Sequence, residues 1–188
     1  LNTVPFSITV QILTRDRFDD AFALRLRALR EHPEAFGQPF EEAAALTPAQ
    51  RQTAWESKWN YRDNRVFVAI DGYGALVGMT GVVRQYRDKM RHRGEIWGVY
   101  VAPEARGQGV GSRLLEAAIA YVRDDLGLLQ LHLEAISSNA EAVRSYERAG
   151  FVRYGRMPRA DILNGTIYDS DLMVLMLDGY LYPPREGE

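Results

Sequence analysis

Apolar and polar positions alternate from Ser7 to Leu13 in a β-rich run, which predicts a first strand. From Phe18 to Glu31 the rhythm changes, with Phe22, Leu24, Leu26 and Leu29 at mostly helical spacing until Pro33 stops it. Thr47-Pro48-Ala49-Gln50 is a helix start: a threonine cap, proline in the first turn and glutamine three residues after the cap. This second helix is expected to run to about Lys58. Arg65–Ile70 and Ala75–Tyr86 predict two antiparallel strands joined at Asp71-Gly72-Tyr73-Gly74, and the basic stretch from Arg84 to Arg93 reads as a solvated loop. A strand follows over Glu95–Val101. Val110–Leu126 then carries Val110, Leu114, Leu115, Ala118, Tyr121, Val122 and Leu126 on one helical stripe. Leu129–Ile136 predicts another strand, and Ser138–Ala149 a helix that Ser138 and Glu141 can close with a capping box. Phe151–Ile162 and Thr166–Leu177 form the last hairpin, turning at Asn164-Gly165.

The resulting order is β-α-α-β-β-β-α-β-α-β-β. It predicts an α/β fold with a mixed, mostly antiparallel central sheet of about seven strands and helices on both faces. No linker interrupts it, so residues 1–178 read as one domain and 179–188 as a loosely held tail. The composition is ordinary for a globular chain, with 46% hydrophobic and 26% charged residues. A net charge of −2 supplies no global attraction to nucleic acid or an anionic membrane. No apolar run approaches a membrane span and no signal pattern opens the chain, so a cytoplasmic protein is expected. Cysteine is absent, which excludes a disulfide scaffold, a thiolate metal site and a cysteine nucleophile. His32, His92 and His132 are scattered without ligand spacing, and no metal is expected.

The chemistry concentrates where Trp97–Val101 leads through a short link to Arg106-Gly107-Gln108-Gly109-Val110-Gly111 and into a helix. Glycines there let a ligand approach the backbone, and a helix N-terminus offers unpaired N–H groups and a favourable dipole for an anion such as pyrophosphate. A dinucleotide fingerprint fits poorly, because Ala102-Pro103-Glu104-Ala105 separates the strand from the turn and Ser112 stands where the third glycine belongs. Gly111-Ser112-Arg113 is not the ending of a Walker loop either.

The run Val99 to Leu115 resembles the acetyl-CoA motif of the GCN5-related N-acetyltransferase (GNAT) family, whose Arg/Gln-x-x-Gly-x-Gly/Ala core is matched by Arg106, Gly109 and Gly111. A second family motif is matched in order by Asn139, Ala142, Tyr146, Glu147 and Gly150-Phe151. The resemblance implies that the strand ending at Val101 splays from the strand of Glu134. It implies that the pantetheine arm of acetyl-CoA pairs with the backbone of Val99, Tyr100 and Val101, and that its pyrophosphate lies over Arg106, Gly107, Gln108, Gly109, Val110, Gly111 and Ser112. It also sets Asn139 against the pantetheine arm and Tyr146 near the sulfur.

A phenol, with a pKa of about 10, is protonated at neutral pH and can protonate a departing thiolate. A lysine-like amine has a pKa of about 10.4, so only roughly one in a thousand is neutral at pH 7 and a base is needed. Glu134 and Glu95 are the two candidates, both on strands beside the motif. The reaction expected is acetyl transfer from acetyl-CoA to an amine by direct attack in a ternary complex. A binding module without turnover and a transferase of another acyl group stay open. The acceptor, a small-molecule or peptide amine, is expected near Phe36, Phe40, Glu41, Glu42, Trp55, Trp59, Tyr61, Tyr168, Asp169 and Asp171. The resemblance also suggests a homodimer through the C-terminal strands.

Overall fold

A computed structural model describes residues 7–180; the end of the expected tail, residues 181–188, lies outside them. The first strand, β1, spans Thr9–Ile12, and α1 covers Phe18–Glu31, the segment the sequence predicts. Its apolar stripe, with Phe18, Ala21, Phe22, Ala28 and Leu29, is buried. A short helix that periodicity did not signal, α2, follows at Phe40–Ala44. The helix α3, Pro48–Ala54, begins with the expected capping box: Gln50 N–H donates to Thr47 Oγ1 at 3.3 Å, and Thr47 N–H donates to Gln50 Oε1 at 2.8 Å. It widens into a π turn over Trp55–Trp59.

The strands β2 (Arg65–Ile70), β3 (Leu76–Arg84) and β4 (Arg93–Val101) form an antiparallel meander, with Asp71 Oδ1 accepting from the N–H groups of Tyr73 and Ala75 in its first turn. Next come α4 (Val110–Ala120, extended by a π turn over Tyr121–Asp125), β5 (Gln130–Ile136) and α5 (Ala140–Arg148). The long hairpin of β6 (Val152–Leu163) and β7 (Thr166–Met176) closes the described chain. Asn164 and Gly165, both at positive φ (49° and 80°), make its two-residue turn.

The sheet order is β1-β2-β3-β4-β5-β7-β6, mixed and mostly antiparallel, as expected. Among the described residues its one parallel contact joins β4 to β5. The two faces can be told apart at β3. A β-carbon on Gly78 would touch Leu114 and Val110 of α4, whereas one on Gly81 would collide with the indole of Trp97. That indole packs at 5.7 Å on Trp59, which in turn meets Phe18 of α1 at 5.1 Å. Helices therefore cover both faces, α4 on one and α1 on the other.

The capping expectation at α5 is corrected. Asn139, not Ser138, is the cap, its Oδ1 accepting from Ala142 N–H at 3.1 Å. Ser137 N–H is tied to the Asp169 carbonyl at 2.8 Å, and Asn139 N–H turns back to Ile136 O at 2.9 Å. Those bonds hold the chain in a turn through Ser138 and delay the helix.

Candidate active site

The parallel pairing of β4 and β5 runs only through Arg93–Gln130, Gly94–Leu131 and Glu95–His132. Beyond it the strands part. A bulge helps β4 turn away: Gly98 sits at φ 65°, and the register against β3 shifts between Met79 and Gly81. Into the gap opens a cleft of about 620 Å³ that runs from the Gly107–Ser112 turn, past Val99 and Val101, to Asn139 and Tyr146.

Gly107 and Gly109 hold φ near +74° and +73°, a conformation that carries the chain into α4 and that side chains disfavour. Gly109 caps α4 without a side-chain bond, so the first-turn N–H groups of Val110, Gly111 and Ser112 are unclaimed by a cap and lie on the cleft. No β-carbon obstructs the approach to Gly107 or Gly109. A pyrophosphate fits this cradle, and the extended gap between β4 and β5 suits an arm that pairs like a strand. The residues present therefore fit acetyl-CoA.

Three of the predicted cofactor-binding residues bond other groups with their side chains, Tyr100 and Arg106 while still lining the cleft. Gln108 is off the cleft wall, its amide donating to the Glu104 carbonyl at 3.3 Å. Tyr100 turns its side chain into the core, where its hydroxyl donates to Glu31 Oε2 at 2.6 Å. Burial and that carboxylate together hold the phenol above its ordinary range. Arg106 is folded back: Nε donates to the Val101 carbonyl at 3.0 Å, and Nη2 lies 2.8 Å from His32 Nε2. Because a guanidinium only donates, His32 accepts at Nε2. Ser138, Glu141, Ser145 and Arg148 line the cleft without having been expected there; for Glu141, Ser145 and Arg148 the spacing of three to four residues along α5 was the available signal.

Tyr146 is buried, and burial pushes its phenol up to about 12. Its hydroxyl makes no protein hydrogen bond among the described residues. Tyr146 also lines a second, smaller cavity of about 90 Å³, which Glu134 lines as well. Glu95 is not on that wall. It neighbours Glu134 on the α1 face, and its carboxyl is raised above the usual range by partial burial first, then by the Glu134 charge, with Lys58 opposing. His132, beside Glu95 in register, is depressed to about 4 by burial and by Arg93 and His92, so it does not neutralise the two acids near pH 7.

The acceptor surface expected from the sequence is only partly assembled. Phe36 lines both cavities. Trp55 and Trp59, however, belong to the core around Phe18, and Asp171 is buried against Arg156 at 2.8 Å. Arg25, which the sequence did not mark, lies behind Phe36 and Gly98. It is 8% exposed, its Nη1 has no hydrogen-bond partner, and desolvation lowers it to about 10. Its guanidinium carbon sits 4.5 Å from the Phe36 ring and 6.0 Å from that of Trp97. Such stacking contributes about 2 kcal/mol when desolvated, less than the several kcal/mol an unpaired buried ion costs.

Comparison with known proteins agrees with this geometry. The model of the acetyltransferase (GNAT) family matches residues 26–151. Mycothiol acetyltransferase of Salinispora tropica is 34% identical over 152 residues, which is 80% of this chain and 47% of that protein. Spermidine N(1)-acetyltransferase of Vibrio cholerae is 29% identical over 117 residues, 62% of this chain and 66% of that one. YncA of Salmonella typhimurium, solved with its cofactor acetyl-CoA, superposes with a TM-score of 0.78 at 22% identity, over 95% of this chain and 98% of its own. The chain belongs to the GNAT acetyltransferase family, and its fold is the GNAT fold. It spans about half the length of the mycothiol acetyltransferases it matches.

Among the described residues no helix is long and apolar enough to cross a membrane, and no cluster of three or more His, Asp or Glu could hold a metal ion.

Proposed function

We propose that the protein transfers the acetyl group of acetyl-CoA to an amine, with Glu134 as proton acceptor and Tyr146 as proton donor. The observation that carries this reading is that one phenol, Tyr146, walls both the cofactor-sized cleft and the small cavity holding Glu134. Acetyl-CoA, when bound, supplies an activated acetyl group on a sulfur leaving group. The Gly107–Ser112 turn binds its phosphates, and Val99, Val101 and Asn139 align its arm so that the thioester end reaches Tyr146.

Glu134 takes a proton from the acceptor's ammonium and leaves a neutral nitrogen. As the new N–C bond forms and the C–S bond breaks, Tyr146 gives its proton to the departing sulfur. The second nitrogen proton returns to the phenol through solvent. Glu95 stays a neighbour of Glu134 on the same face of the sheet.

The test is thiol release from acetyl-CoA against a panel of amines. Release that requires an amine is expected. Tight binding of acetyl-CoA with no release for any amine would turn the reading into a binding module, and mass spectrometry of the retained coenzyme A species would expose a different acyl group. The expected homodimer contact is assigned to β6, whose outer edge exposes Val152, Met157 and Ile162; sedimentation equilibrium tests it. A cytoplasmic location is kept as part of the same reading, and fractionation of expressing cells tests it.

A further inference from the structure

Around Trp97, on the α1 face of the sheet, four charged side chains meet without pairing. Arg25 forms no hydrogen bond or ion pair with any described residue, although it is 8% exposed and its Nη1 is fully enclosed. Lys58 places its Nζ 4.5 Å above the Trp97 ring and has no carboxylate within ion-pair distance among the described residues. Glu95 and Glu134 stand next to them, acid beside acid. Lys58, Glu95 and Glu134 are exposed and can hydrate, so the uncompensated burial falls on Arg25. The two cations stack on aromatic rings, Arg25 on Phe36 and Lys58 on Trp97, and the two acids lie on the neighbouring strands β4 and β5.

Arg25 is also at the right depth. Its guanidinium lies on the ring of Phe36, and a β-carbon on Gly98 would be only 3.7 Å from Nη1. Phe36 and Gly98 are both walls of the small cavity between Glu134 and Tyr146. Arg25 lies behind those walls, beside the space proposed for the acceptor nitrogen, and no anion among the described residues pairs with it.

We infer that the acceptor is an amine carrying its own small oxyanion, most simply an amino acid: Arg25, assisted by Lys58, receives the carboxylate, while Glu134 and Glu95 face the ammonium. A zwitterion presents both charges a few bonds apart and satisfies both halves of the cluster at once, whereas a polyamine would set a cation against Arg25 and Lys58. This assignment rests on the acetyl-transfer reading above and narrows its acceptor.

The experiment compares amino acids with the amines that lack the carboxylate, such as phenylalanine with 2-phenylethylamine and lysine with cadaverine, in the thiol-release assay. Taurine and 2-aminoethylphosphonate serve as arms for other oxyanions. At least one amino acid is expected to exceed its decarboxylated partner by roughly tenfold or more in kcat/KM, the worth of one charge-assisted bond. Arg25→Gln should abolish that preference, raising KM for the amino acid by a larger factor than for the plain amine, and leave acetyl-CoA binding unchanged. Arg25→Lys should recover part of it. Lys58→Met, at an exposed position, should weaken it without threatening the fold. Equal use of amino acid and amine by the wild-type protein, or equal loss of both in Arg25→Gln, would overturn the inference. Titration calorimetry of the amino acids in the presence of coenzyme A gives an answer without turnover. Binding that depends on Arg25 supports the inference even if no acetyl group moves, and no binding by any of them rejects it; release with plain amines alone would leave acetyl transfer standing and remove the carboxylate.

Discussion

The phenol of Tyr146 keeps its proton to about 12 and donates to no protein acceptor among the described residues, which is what a donor waiting for a thiolate requires. Tyr146→Phe should lower kcat by roughly a hundredfold, within the usual range for general acids. Its thermal stability should barely change, since no buried partner is orphaned. Glu134→Gln should cost a similar factor, measured as amine-dependent thiol release. Glu95→Gln tests a different property. The Glu95 carboxyl is raised in the folded protein, so above its ordinary range the unfolded chain releases a proton that the folded one still holds, and stability declines as pH rises. The penalty is complete once the folded carboxyl ionises. Glu95→Gln removes it, so its Tm should exceed the wild type's at neutral pH by a small, solvent-screened margin, and the difference should vanish below about pH 4. Thermal melts across that range check this. Tyr146 and both glutamates were legible as candidates, from motif order and strand position. Arg25 was not, because one arginine in a helical stripe gives no sign of whether it reaches water.

Among the elements, the turn into α4 bears most on cofactor binding. Gly109→Ala would meet no neighbouring atom, so the strain is purely backbone, about 1–2 kcal/mol for a side chain held at positive φ. Any relaxation tilts the first-turn N–H groups that face the cleft. Acetyl-CoA affinity should therefore fall about tenfold or more, the equivalent of one bond to a charged group, as read by titration calorimetry. Element identities were written in local periodicity and caps, as Thr47 with Gln50 and Asn164-Gly165 show. The π turns at Trp55–Trp59 and Tyr121–Asp125 were not, since a widened turn depends on what the side chains pack against. The short helix Phe40–Ala44 also escaped: one turn and a half has too few positions to display a period.

Across the molecule, β7 links the site to the sheet's outer edge, and Asp171 is its buried anchor. Its carboxylate is 3% exposed and faces Arg156 at 2.8 Å and Arg153 at 3.7 Å. Losing one partner of a buried pair commonly costs about 3–5 kcal/mol. Both arginines are about half exposed and can rehydrate, so Asp171→Ala should cost less, on the order of 1–3 kcal/mol. Urea unfolding should register the loss as a lower midpoint at unchanged slope.

The order of elements along the chain, α2 apart, and the glycine turn were contained in signals spanning a few residues, because hydrogen-bonded turns and pleats repeat over that distance. The opening between β4 and β5 had been implied by likeness alone; where it begins, just past Glu95 and His132, depends on a bulge at Gly98 that no period announces. Which glutamate shares a cavity with Tyr146, which tryptophans are core, and which arginine lacks an anion are relations between segments far apart in the chain. They emerge when the sheet and its two helical layers close, since burial and charge pairing are properties of what surrounds a side chain rather than of the side chain itself.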